Sequence, residues 1–208
     1  KLLNYNENMN DRIIKEKQFK SIFKNINRYQ DICIIKDNLN YYNNNNINIV
    51  ITNLCIIGTG TFGIVYKGSI NNKELAIKKI TMNIKHYNKE YKFLKLLQDL
   101  QVPFFLRIYG YFLCKICNDK KSCSLLLLEL ADSIFPDELK NELSENILLQ
   151  LIAGVHILQY NYQIVNYDIK KENILLLFLQ KGGYWKYIIN GKEYKIQNLG
   201  IQLIINDF

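Results

Sequence analysis

No apolar stretch in the sequence approaches the ~20 residues that a membrane-crossing helix requires. Leu125 to Leu128 stops at Glu129, and Ile174 to Leu179 stops at Gln180. A membrane partner is therefore not expected. An even set of cysteines is also missing. Five cysteines in 208 residues argue against a disulfide framework and favour a reducing intracellular compartment. There is no dense basic block either. Twenty-seven Lys and Arg face 19 Asp and Glu, giving a net charge of +8 that is spread along the chain. Such an excess favours anionic partners, and its dispersal disfavours nucleic acid. The two histidines, His86 and His156, lack metal-ligand spacing. The first residue is Lys1 rather than Met, so an upstream start is expected and a missing signal peptide excludes nothing.

What is present is 49% hydrophobic residues, enough for one or two buried cores. Residues 1–46 are rich in Asn, Lys, Tyr and Ile and include Asn43-Asn44-Asn45-Asn46. Asn is a poor helix former. A weak helix around Ile13, Ile14, Phe19, Ile22 and Phe23 competes with a polar extension or linker, and the linker is preferred. From Ile47 the pattern changes. Ile47, Ile49 and Ile51 alternate with Asn48, Val50 and Thr52, as in a strand. A β-branched run follows at Ile64-Val65-Tyr66-Lys67-Gly68, then a turn at Asn71-Asn72-Lys73 and a third strand over Glu74–Ile80. A helix is expected from about Lys85 to Leu100, with Phe93, Leu94, Leu96, Leu97 and Leu100 as its apolar positions. Strands are expected at Phe105–Leu113 and Ser124–Leu130.

Beyond Ala131 the pattern turns helical. Ser144 is the expected cap of a helix whose apolar face is Ile147, Leu148, Leu151, Ile152, Val155 and Leu158. Short strands are expected at Asn173–Leu177 and Ile201–Ile205. Between them, Asn190-Gly191 flanked by Tyr187-Ile188-Ile189 and Glu193-Tyr194-Lys195-Ile196 predicts a β-hairpin. Cys114-x-x-Cys117 with Cys123 offers three thiolates, but no fourth zinc ligand lies nearby. Cysteines flanking a hairpin are the stronger reading.

Four segments carry chemistry. Gly58-Thr59-Gly60-Thr61-Phe62-Gly63 has the spacing G-x-G-x-x-G. A dinucleotide fold would open a helix at the third glycine. Here a strand follows, so the glycines sit at the tip of a hairpin, where they would let backbone approach phosphates. No Gly-Lys-Ser/Thr follows, which argues against a Walker loop. A plain hairpin with a flexible tip fits this segment equally well. Leu75-Ala76-Ile77-Lys78 occupies the third strand. Asn166-Tyr167-Asp168-Ile169-Lys170-Lys171-Glu172-Asn173-Ile174-Leu175 gathers an acid, a base and an amide just before a strand. Ile201 to Phe208 is a strand ending in Asp207-Phe208.

In this order the segments resemble the eukaryotic-type protein kinase family, over about residues 50–208. The resemblance implies an α+β bilobal fold. Residues 47–131 would form an antiparallel small lobe with one helix, plus the hinge. Residues 132–208 would begin a helical large lobe carrying an inserted hairpin near 180–200, and similar insertions occur in kinases of large DNA viruses. It also implies ATP and magnesium as cofactors and a protein with a Ser or Thr acceptor as substrate. Asp168 would orient the acceptor hydroxyl, and Lys170 would stabilise the transferred phosphoryl group. Asn173 and Asp207 would hold the metal. Lys78, paired with Glu90, would contact the α and β phosphates. Ile57, Gly58, Gly60, Gly63, Val65, Ala76, Leu128, Glu129 and Ala131 would surround the nucleotide. Asp132 or Asp137 would meet the ribose.

Three departures stand out. Asn166 and Tyr167 replace the His and Arg of H-R-D, which questions regulation through a phosphorylated activation loop. The interval from Lys78 to Glu90 is short for the family, and that from Asn173 to Asp207 is long. The isolated chain is expected to be weakly active. The alternatives are a pseudokinase acting as a nucleotide-binding or scaffold module, and a phosphotransferase acting on a small molecule. Lys170, two residues after Asp168, favours the serine/threonine pattern.

Overall fold

A computed structural model describes residues 7–24, 29–35, 38–43, 46–60, 63–80, 84–99, 103–116, 122–137, 141–189 and 191–206. The chain divides into two compact units. One comprises Glu16–Asp99 with Arg107–Leu130; the other comprises Lys1–Lys15, Leu100–Leu106 and Ala131–Phe208.

The first unit is built on strands. β1 (Tyr29–Ile35), β2 (Asn38–Asn43), β3 (Asn46–Gly60), β4 (Gly63–Ile70), β5 (Lys73–Ile80), β6 (Ile108–Ile116) and β7 (Ser122–Leu128) close a barrel in the order β1-β2-β3-β4-β5-β7-β6. The β4–β5 turn places Asn71 and Asn72 at φ of 49° and 61°. Asn tolerates that left-handed region, and a two-residue turn of this hand matches the twist of the strands. Helix α2 spans Ile84–Asp99 between β5 and β6. Leu94 and Leu97 are buried on it, whereas Leu96, expected on the same face, is exposed.

Strand alternation sorts the sheet into two faces. Leu75, Ile77, Leu125 and Leu127 point into the core with Ile51, Ile70, Tyr109 and Phe112. Gly58, Val65, Lys78 and Leu126 are successive cross-strand partners on the other face, and Ala76 with Leu128 lies beside them.

The Asn-rich amino-terminal segment departs from the linker reading. Residues Glu7–Phe23 form helix α1, and two strands follow it. Phe19 and Phe23 enter the core. Phe19 stacks on Tyr109 at 4.4 Å between ring centroids, and Phe23 meets Phe112 edge-on at 5.9 Å. Two aromatic side chains one helical turn apart bury enough apolar surface to override poor propensity. β1 then pairs with β6 in parallel, so the sheet is not wholly antiparallel.

In the second unit, Arg12 of α1 is buried and donates to the carbonyls of Pro103 and Phe105, both at 2.8 Å. Helix α3 spans Asn141–His156 and continues as a π-helical turn, Ile157–Asn161. It begins before Ser144, so Ser144 lies inside the first turns and is not the cap. β8 (Ser133–Ile134), β9 (Ile174–Phe178) and β12 (Ile201–Ile205) form one sheet, and β10 (Tyr184–Ile189) pairs with β11 (Lys192–Gln197) in another. Gly191 closes the β10–β11 turn at φ 76°.

The buried face of α3 also differs from expectation. Ile147, Gln150, Ala153, Ile157 and Leu158 are buried, while Leu148 and Ile152 are exposed. Gln150 can be buried because its amide is used at both ends. It donates to Asn146 Oδ1 and the Ile201 carbonyl, and accepts from Leu203 N and Gln202 Nε2, all within 3.0 Å. Asn146 donates in turn to the Gln197 carbonyl at 2.7 Å, tying β11 to the helix.

Candidate active site

The first unit carries the glycine loop, Lys78 and Glu90. β3 and β4 run together to the pair Gly60 and Gly63, and the loop tip Thr61-Phe62 lies outside the described residues. The three glycines are not equivalent. A Cβ at Gly63 would sit 2.0 Å from the Lys79 carbonyl oxygen, so the close approach of β5 requires glycine there. Among the described residues, a Cβ at Gly60 would meet nothing within 4 Å, and at Gly58 only ordinary contacts with Val65.

On β5, Lys78 Nζ donates to Glu90 Oε1 of α2 at 2.8 Å. The side chains are 14% and 22% exposed. Glu90 is thus positioned by helix α2 and Lys78 by strand β5. Val65, Ala76 and Leu128 share the face of Lys78. Leu126, its direct partner on β7, also belongs to that face and was not singled out from the sequence, although it lies two residues from Leu128. Ile57 sits at the register shift between Ile56 and Gly58 and is half exposed. Glu129 is buried and clamped by Arg107. The Arg107 N–H donates to its carboxylate at 3.1 Å, and the Glu129 N–H donates to the Arg107 carbonyl at 2.8 Å.

The second unit carries the acid–base set. Asp168 lies on the loop between the π-helical turn and a 3₁₀ turn, Lys171–Asn173. Lys170 Nζ donates to Asp168 Oδ2 at 2.9 Å. Asn173 Nδ2 donates to Asp168 Oδ2 at 2.8 Å and to the Asp168 carbonyl at 2.9 Å. The Lys170 ammonium, helped by Asn173, holds the Asp168 carboxyl below the usual carboxylate range. An amide that turns its NH₂ toward Asp168 presents its carbonyl oxygen on the other side, and that oxygen suits a hard cation. Asp207 lies outside the described residues. Its neighbour Asn206 donates its backbone N–H to the Asn173 carbonyl at 2.8 Å.

Of the two ribose candidates, Asp132 accepts from Phe178 N at 2.6 Å and Asp137 pairs with Lys171. Ala131 is half-buried and directly precedes Asp132. Cys117 lies outside the described residues, and Cys114 faces Cys123 in the β6–β7 register. Among the described residues no cluster of His, Cys, Asp and Glu could hold a metal ion, and no helix is long and apolar enough to cross a membrane.

The family model described as "Protein kinase domain" matches residues 51–200. This chain belongs to the protein kinase domain family. The kinase domain is 30% identical over 188 residues to "Probable serine/threonine-protein kinase 380R" of Invertebrate iridescent virus 6, covering 76% of this chain and 36% of that protein. It is 30% identical over 137 residues to "Dual specificity mitogen-activated protein kinase kinase jkk-1" of Caenorhabditis elegans, covering 59% and 30%. It is 29% identical over 124 residues to "Putative serine/threonine-protein kinase 019R" of Frog virus 3 (isolate Goorha), covering 51% and 14%. The chain therefore spans about a third or less of the length of these relatives.

The kinase domain departs from its family at Asn166 and Tyr167. Asn166 Oδ1 accepts the Asp168 backbone N–H at 2.8 Å, so this side chain ties down the loop that carries the acid. Tyr167 is 93% exposed.

Proposed function

We propose that this kinase domain is the nucleotide-binding and catalytic-loop part of an enzyme that transfers the γ-phosphoryl group of ATP to a serine or threonine hydroxyl on a protein. The observation that carries this reading is the Asp168–Lys170–Asn173 constellation. Its acid is ionised at neutral pH and faces a cation two residues away.

Phosphoryl transfer depends on positioning and on neutralising charge. Asp168 would accept a hydrogen bond from the acceptor hydroxyl, orient its oxygen and receive its proton. Lys170 would lie against the transferred group as negative charge spreads over its oxygens. Lys78, held by Glu90, would meet the α and β phosphates, and Gly58 and Gly60 would let β3–β4 backbone approach them. Magnesium, when bound, neutralises phosphate charge, and Asn173 and Asp207 would hold it. Residues 47–131 would serve as the small lobe with the hinge and 132–208 as the start of the large lobe. An exposed free thiol at Cys55 suits a reducing intracellular compartment.

The test is transfer of labelled γ-phosphate by the full-length protein to peptides bearing Ser, Thr or Tyr. Turnover on Ser or Thr that disappears in Asp168→Asn is expected. Equal residual turnover in both proteins would reject the assignment and leave a pseudokinase. The substitutions at Asn166 and Tyr167 motivate that rival, and the hydrogen bond that Asn166 Oδ1 accepts from the Asp168 backbone weighs against it.

A further inference from the structure

Helix α2 carries Glu90, and whatever fixes α2 fixes the Lys78 partner. Leu94 and Leu97 pack the helix by apolar contact, which permits sliding and rotation. Directional contacts at its end are therefore informative. Gln98, in the last turn, is buried, and its Oε1 accepts the Ile108 backbone N–H at 3.1 Å. Its Nε2 donates to Glu16 of α1. The same carboxylate accepts from Lys20 at 2.6 Å and lies 3.7 Å from Arg107 Nη1, whose side chain is 3% exposed. Arg107 in turn clamps Glu129 through its backbone. One carboxylate thus touches both the end of α2 and Arg107, the residue directly before β6.

We propose that Glu16 is a positioning residue that sets α2, and through it the Lys78–Glu90 pair, by its hydrogen bond to Gln98. The α1 segment from Glu16 to Phe23 is anchored independently by Phe19 and Phe23 in the core, so Glu16 is a fixed point. Gln98 lies eight residues beyond Glu90, about 12 Å along the helix axis. A helix is stiff over that length, so freeing one end changes where Glu90 sits. The inference rests on the kinase reading above for its kinetic arm and on the fold alone for its exchange arm.

The test uses the full-length protein with Glu16→Ala, Glu16→Gln, Glu90→Ala and the Glu16→Ala/Glu90→Ala double variant. Glu16→Ala is expected to lower kcat about tenfold. In the Glu90→Ala background the same change should cost less than about twofold, because a residue acting through Glu90 has nothing left to act on. Additive losses would overturn the inference. Glu16→Gln keeps an acceptor for Gln98 and should retain at least about a third of wild-type kcat. A loss as deep as that of alanine would overturn the route through Gln98. Amide hydrogen exchange is read alongside. Glu16→Ala should speed exchange across α2 before it alters β4 and β5. Unchanged exchange in α2, or equal acceleration throughout the unit, would overturn the inference even if wild-type protein shows no phosphoryl transfer, an outcome that by itself rejects the kinase reading.

Discussion

The charged pairs of the two units, one in each, are built in opposite ways. Lys78 and Glu90 come from a strand and a helix, and they are 14% and 22% exposed. Lys170 and Asp168 are two residues apart on one loop, at 52% and 61% exposed. A part-buried pair has surrendered hydration and leaves a costly orphan if one partner is removed. An exposed pair is screened and adds little to folding. On the proposed reading the first pair would serve both architecture and ligand, and the second would serve chemistry with almost no structural duty.

The comparison breaks most clearly with Asp168→Asn. Turnover is expected to fall by about 10²–10⁴-fold, as for loss of a general base. Stability should stay within about 0.5 kcal/mol of wild type, as for a surface change. A combined kinetic and thermal-unfolding measurement checks both. Lys78→Ala should behave differently. Turnover should fall by about 10²–10³-fold through loss of charge at the phosphates. Stability should also drop by about 1–3 kcal/mol, because Glu90 keeps its half-buried carboxylate without the ammonium. A Lys78→Ala protein as stable as wild type would erase the distinction between the pairs.

That distinction also explains what could be read from sequence. Asp168, Lys170 and Asn173 fall within six residues, so their mutual geometry is set by one loop and one 3₁₀ turn. The turn at Asn71-Asn72 was legible for the same reason, since Asn is at home at positive φ. Long-range partners left no such trace. Glu16 and Gln98 are 82 positions apart and Arg12 and Phe105 are 93 apart, and nothing local marks them as pairs. Helix α1 is legible only as a weak alternative around Ile13, Ile14, Phe19, Ile22 and Phe23, because the two phenylalanines that hold it in the core are too few to outweigh an Asn-rich context. On α3 the hydrophobic stripe is only partly right: Ile147 and Leu158 are buried, whereas Leu148 and Ile152 are exposed. A glutamine looks like a solvent residue until its four hydrogen bonds are seen, so nothing in the local sequence marks Gln150 as part of the buried face.

The glycine loop extends the comparison to backbone. Gly63→Ala would drive a methyl group into the Lys79 carbonyl, and a loss of about 1–3 kcal/mol is expected from that overpacking. Gly60→Ala meets open space, so its stability should change by less than about 0.5 kcal/mol. Its nucleotide affinity should nevertheless fall, because the added methyl would stand where β3–β4 backbone is proposed to approach the phosphates. Chemical denaturation and a nucleotide titration on both variants separate the roles. Matching effects on both measurements would mean that the two glycines do one job.

The smallest expected effect is also the most local. Lys170 is the main cause of the lowered Asp168 pKa, with Asn173 adding to it. Lys170→Ala should raise that pKa and abolish the depression, because the remaining Asn173 hydrogen bond lowers it less than desolvation raises it. The sign follows from linkage. A depressed carboxyl favours the fold above its unfolded value, and that preference fades as pH falls through the folded value. Removing the cation shifts the fading to higher pH. Following the Asp168 carboxyl carbon by NMR during an acid titration reads the shift directly. Because the group is exposed, added salt should shrink the wild-type depression, whereas it should leave the Asn173 contribution nearly untouched. An Asp168 carboxyl that titrates identically in wild type and Lys170→Ala would mean that the ammonium does not dwell on the acid in solution. The charge available to a transferred phosphoryl group would then have to come from elsewhere.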